Sequence, residues 1–200
     1  MSNRKNKAGQ TAILGLFAAI IVVLQLLSYT IKIGTFNLSL VLIPIVLAAV
    51  LYGPKYSAIL GGVFGLVVTL ASAFGLDAGG NILIMSSPVL TTLVCMGKGV
   101  GAGLCAGWVA KALKNKNIYL AVIAAALTAP IVNTGLFVAA MFFFFRTTLT
   151  AWAGGTDLVY YVIFMLVGIN FVIELAVNIV LSPAVLRVYR ALSKNGKKTA

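Results

Sequence analysis

The sequence has no histidine, two cysteines and only three acidic residues, Asp77, Asp157 and Glu174. Without histidine there is no H-E-x-x-H zinc site and no Ser–His catalytic pair. Three scattered carboxylates and two thiols are too few for a carboxylate-rich or thiolate metal centre. No G-x-x-x-x-G-K-[ST] run is present to cradle ATP phosphates. The chain is therefore expected to be no enzyme and to carry no metal or cofactor. Cys95 and Cys105 lie on one expected helix, about 15 Å apart along its axis, beyond the reach of a disulfide.

Charge is scarce too. Charged residues make up 9% of the chain and hydrophobic ones 62%, with a mean hydropathy of +1.10, whereas soluble domains are about a quarter charged. This is the composition of an integral membrane protein. About 20 helical residues cross about 30 Å of hydrocarbon, and apolar stretches of that order recur at about 9–31, 37–53, 55–75, 90–112, 118–146 and 158–190. The sequence thus predicts an all-α, polytopic six-transmembrane-helix bundle, with residues 1–200 as a single membrane domain. The first run is longer than a signal-peptide core and lacks an A-x-A cleavage site, so it reads as a retained helix.

The net charge of +12 comes from fifteen Lys and Arg. A six-helix count puts all but Lys32, Lys98 and Arg146 on one side, and the positive-inside rule makes both termini cytoplasmic in a plasma-membrane protein. Juxtamembrane placement explains this basicity through topology and anionic lipid, so nucleic acid is not an expected partner. Trp and Tyr favour the headgroup region, and every one of them falls near a predicted helix end.

The polar residues inside the apolar runs converge in depth. At about 1.5 Å of rise per residue, Glu174 lies about 20 Å above Arg187, Lys98 about 20 Å above Lys111 and Asn133 about 22 Å above Ile118. Thr69 and Gln25 reach about 21 and 24 Å on their helices, and Asn170 lies one turn above Glu174. A charged side chain facing lipid costs at least about 2.5 kcal/mol, so Lys98 and Glu174 are expected to face the bundle interior or a water-filled cavity. A small-molecule pocket open to the outside is one reading, with Asn37 from the first outer segment added to the set. A structural Lys98–Glu174 salt bridge, with Asn133, Asn170 and Asn178 as interhelical glue, is the other.

Ala8, Ala12, Gly15 and Ala19 form a narrow small-residue face on the first helix, suited to close approach of a partner helix or to packing within the bundle. Inner connections are short. The outer ones, "IKIGTFNLS" (31–39), "GLDAGGNILIMSSP" (75–88) and "RTTLTAWAGGTD" (146–157), are longer and read as lid loops, their Gly-Gly pairs serving as hinges or ordinary turns. No internal repeat is evident, which argues against an inverted-repeat transporter.

"FNLSLVLIPIVLAAVLYGPKYSAILGGVFGLV" (36–67), with Pro44 and the Gly53-Pro54 turn, resembles the substrate-binding S components of energy-coupling factor (ECF) vitamin transporters. So do the small-residue first helix, "GKGVGAGLCAGWVAKALK" (97–114) and the ending "ELAVNIVLSPAVLRVYRAL" (174–192). The resemblance implies a subunit that binds a vitamin near the outer leaflet. It also implies docking through Ala8, Ala12, Gly15 and Ala19 on a transmembrane scaffold with two ATPase subunits, and delivery by toppling in the membrane. "TAPIVNTGLFVAAMFFFF" (128–145) looks most like pantothenate-type members, with riboflavin the next candidate. Lys98 would then neutralise the vitamin's carboxylate while Glu174 and Asn133 meet its hydroxyl and amide groups. The competing classes are a proton-coupled secondary transporter that titrates Glu174 and a structural membrane subunit.

Overall fold

The computed structural model describes residues 2–30, 32–33, 36–37 and 41–198, with side chains described for 9–30, 41–168 and 170–192. Among the described residues the regular structure is helical, with one exception between the first two helices. Helix α1 (Ser2–Ser28) is followed by the two-residue strands β1 (Lys32–Ile33) and β2 (Phe36–Asn37), which pair antiparallel with Lys32 opposite Asn37. Then come α2 (Leu42–Tyr52), α3 (Pro54–Ala73), α4 (Ala78–Ser86), α5 (Pro88–Lys114) and α6 (Ile118–Phe144). The chain closes with α7 (Arg146–Ala153), the short α8 (Leu158–Tyr160), a π-helix over Tyr161–Gly168, and α9 (Ile169–Lys198).

Five helices among the described residues are long and apolar enough to cross a bilayer: Gly9–Ser28 of α1, α3, α5, α6 and Asn170–Leu192 of α9. The expected second span, 37–53, is shorter in the structure. Residues Phe36–Asn37 pair as a strand, and α2 has 11 residues, about 16 Å of helix. A sixth crossing arises if α7 and the Leu158–Gly168 segment, bent by 91° to one another, count as one broken span. The two Gly-rich outer connections expected as lid loops are helices, α4 and α7.

Helix α2 is the bundle's centre. Eight of its 11 residues are buried, and it touches α1, α3, α5, α6 and α9, as an all-round apolar helix must when it is surrounded by protein. Gly53 ends it at φ 83°, a conformation open to glycine, and Pro54 starts α3 in the first-turn position where its missing N–H loses nothing.

The most extensive helix pair is α3 with α5, and it is built on missing side chains. A Cβ at Gly61 would strike the Gly99 carbonyl, one at Gly103 the Ser57 carbonyl and one at Gly107 the backbone of Pro54. Gly99, Gly103 and Gly107 recur every four residues, so one bare stripe of α5 lies on α3 at backbone contact. Ser57 joins the pair, donating to the Gly103 carbonyl at 2.7 Å.

At the basic end, Lys114 donates to the Val50 carbonyl at 3.0 Å and lies 5.1 Å from the Tyr189 ring centroid. Arg190 stacks over Tyr119 and donates to its hydroxyl. These contacts tie α9 to α2, α5 and α6. Around α2 the buried apolar residues form one core; a second, smaller cluster of Leu83, Met141, Phe145, Leu149, Val162 and Leu166 lies at the opposite end, where it joins α4, α6, α7 and the π-helix.

Candidate functional site

Between the two apolar clusters lies a cavity of about 170 Å³. All five long helices reach it, with α4 and α7 beside them. On α5, Thr91, Cys95 and Lys98 follow at steps of four and three and so share a face. Contact between Gly99 and Gly61 sets that helix's rotation, and the Lys98 ammonium lies 5.8 Å from the Phe64 ring centroid of α3 and 5.2 Å from that of Phe137 on α6. Each aromatic face offers the cation about 0.5–2 kcal/mol of attraction.

Helix α6 supplies Asn133, one turn after the buried Pro130, and Phe137 one turn further. Helix α9 supplies Asn170 and Glu174, again one turn apart. Asn178, the next residue in that stripe, does not line the cavity; its Nδ2 donates to the Glu174 carbonyl at 2.8 Å. On α1, Phe17, Ile21 and Gln25 form the inward face, and Gln25 Nε2 donates to the Tyr29 hydroxyl at 2.8 Å.

Five buried side-chain polar atoms among the described residues lack a hydrogen-bond partner: Gln25 Oε1, Thr91 Oγ1, Asn133 Oδ1, Asn170 Oδ1 and Glu174 Oε1. All five belong to residues that line this one cavity. Leaving such a group unpaired costs about 1–3 kcal/mol, so their convergence is a specific arrangement rather than scatter. Lys98 and Glu174 both face the space, yet no ion pair joins them. The structural salt bridge weighed from the sequence is therefore not formed, and Glu174 remains 8% exposed with an unpartnered oxygen.

The structure thus brings together Lys98, Asn133, Glu174, Asn170 and Gln25. It leaves out Thr69, whose hydroxyl bonds back to the Gly65 carbonyl at 2.8 Å on its own helix. The side chains of Asn37 and Ala8 lie outside the described residues. Ala12, Gly15 and Ala19 are exposed, and a Cβ at Gly15 would meet nothing within 4 Å; this face does not pack within the bundle. Residues missed in the sequence are Thr91, Tyr29, Asp77 and the aromatic walls Phe64, Phe137, Phe171 and Trp152. Thr91 lies two turns from Lys98 on the same face, a spacing that points to it.

Among the described residues no three His, Cys, Asp or Glu side chains gather as a metal-ligand set. No curated protein and no solved structure matches the chain. Residues 10–186 match the family described as "ECF transporter, substrate-specific component". That match takes in every polar residue of the cavity and most of each long helix, and the chain therefore belongs to the ECF transporter substrate-specific component family.

Proposed function

We propose that this protein captures pantothenate in the cavity between its two apolar clusters and hands it to an ECF scaffold driven by two ATPase subunits. Its family makes it a multi-pass plasma-membrane protein and the substrate-binding subunit of an ECF importer, a transporter component and not an enzyme. The observation that carries the reading is the convergence of five unpartnered buried polar atoms on one cavity beside an unpaired lysine.

In this reading Lys98 binds the carboxylate by a charge-assisted hydrogen bond, and Glu174, Asn133, Asn170 and Gln25 meet hydroxyl and amide groups. Thr69 holds its helix rather than the ligand. The volume of about 170 Å³ is below the roughly 300 Å³ at which common ligand pockets begin, which favours a compact vitamin over the three fused rings of riboflavin. Six crossings, with the short α2 as the second and α7 taken as a cap rather than as half of a broken span, return both termini to the cytoplasm and turn α4 and α7 outward. The positive-inside rule supports that orientation, because the basic residues cluster at the other end. Ala12, Gly15 and Ala19 then present the docking face to the scaffold.

Titration calorimetry on the purified protein, without ATP, tests the assignment. Pantothenate binds the wild type, and Lys98→Ala and Glu174→Gln each weaken it about tenfold or more, the equivalent of one lost charged hydrogen bond. Unchanged affinity in both variants would remove this cavity as the ligand site. Uptake into vesicles by this subunit alone, driven by a pH gradient, would instead favour the proton-coupled carrier.

A further inference from the structure

Three helices of this chain begin after an Asp or Asn, and at two of them that side chain closes the open first turn. Asn117 accepts from the amides of Tyr119 and Leu120 at 2.9 and 3.3 Å. Asp157 accepts from the Tyr160 amide at 2.9 Å. Asp77 occupies the same position ahead of α4 and makes no such bond. Its carboxylate has no hydrogen bond or ion pair, and Asp77 is one of the residues that line the cavity.

The surroundings hold it there. Asn81 Nδ2 donates to the Ser72 carbonyl at 2.9 Å and pins the first turn of α4 to the end of α3. Gly80 leaves the neighbouring space open; a Cβ there would strike Ser72 Oγ and stand 2.9 Å from Asp77 Oδ2. Two of the chain's three acids, Asp77 and Glu174, thus line a cavity at which Lys98 is the one cation among the described residues. A ligand that satisfies Lys98 with a single negative charge must meet both carboxylates with hydrogen-bond donors. A second anionic group finds no further cation among the described lining residues and is repelled by the carboxylates, which discriminates as an attractive contact does.

The geometry points to Asp77 as a specificity-determining residue. It accepts a hydrogen bond from a hydroxyl or amine of the bound molecule and excludes the phosphate ester of that molecule, which brings about −1.5 to −2 further charges at neutral pH. This inference rests on the cavity being the ligand site. Calorimetry on the full-length protein in lipid nanodiscs, with pantothenate and its phosphate ester as probes, tests it.

The wild type binds pantothenate at least about tenfold more tightly than the ester. Asp77→Ala weakens pantothenate about tenfold, whereas Asp77→Asn, which keeps an acceptor and loses the charge, chiefly narrows the gap between the two probes. Both variants keep the wild-type melting temperature, because Asp77 caps nothing. Equal binding of the two probes by the wild type overturns the inference. So do Asp77 variants that match the wild type for both probes while Lys98→Ala is weakened, a result that leaves the ligand site standing. Wild type that binds neither probe overturns the pantothenate assignment, and Lys98→Ala and Glu174→Gln that both bind like wild type overturn the ligand site; either result takes this inference with it.

Discussion

Asn133 and Asn178 are the same side chain, both buried in the bundle, in opposite states of satisfaction. Asn178 is 2% exposed and its Nδ2 is bonded to the Glu174 carbonyl; Asn133 is 8% exposed and its Oδ1 has no partner. Removing a paired group loses a bond, while removing an unpaired one relieves a penalty. Asn133→Leu is therefore expected to leave stability unchanged or raise it by about 1 kcal/mol, while pantothenate affinity falls about tenfold or more. Asn178→Leu should lower stability by about 0.5–1.5 kcal/mol. Thermal unfolding and calorimetry on the two variants check this, and a larger loss of stability at Asn133 than at Asn178 would contradict it. Thr69 marks what depth counting leaves open. Rise per residue gives height along a helix but not which way the side chain turns, and Thr69 sits at the right level with its hydroxyl on its own backbone.

The long helices were legible because lipid demands about 20 apolar residues in a row, a signal that hydropathy carries without any knowledge of partners. The nine residues of α4 and eight of α7 carry no such signal. Their Gly, Ser and Thr content resembles a loop, and they are helical because Leu83 and Leu149 insert into a cluster whose other members come from distant parts of the chain. Tertiary packing decides short helices, and propensity alone does not. The length of α2 was hidden for a related reason: its apolar run continues into residues that pair as a strand. On α1 the pattern was legible but its use was not, since small residues suit internal and external contacts alike. The structure leaves Ala12, Gly15 and Ala19 outside the bundle. Gly15→Leu meets open space, so it should keep its melting temperature and its affinity for pantothenate. It should lose most of its co-purification with a scaffold and ATPase complex, because close helix approach needs the small face. Full retention of the complex would remove this face from docking.

At the scale of the whole molecule, the cavity separates two bodies of unequal size. The larger core is organised around α2 and tied at its far end by Lys114 and Arg190. The smaller cluster joins α4, α6, α7 and the π-helix, so the cap is held to the rest through α6, through the π-helix that leads into α9, and through the packing of α4 on α3 and α5, with Asn81 on Ser72. A ligand in the cavity touches both bodies and satisfies polar groups that belong to neither, so its binding energy falls on the joint between them. A ligand at about 100 times its Kd stabilises the state that binds it by about 2.7 kcal/mol, and local opening of the less firmly packed part is what it suppresses first. Saturating pantothenate should therefore raise the melting temperature and slow amide hydrogen exchange in α4 and α7 far more than in α2, whose burial at the centre of the core is expected to leave exchange to global unfolding. Exchange measured by mass spectrometry with and without the vitamin separates the cases. Protection confined to the basic end, or spread evenly along the chain, would mean that the ligand binds somewhere other than between the two bodies.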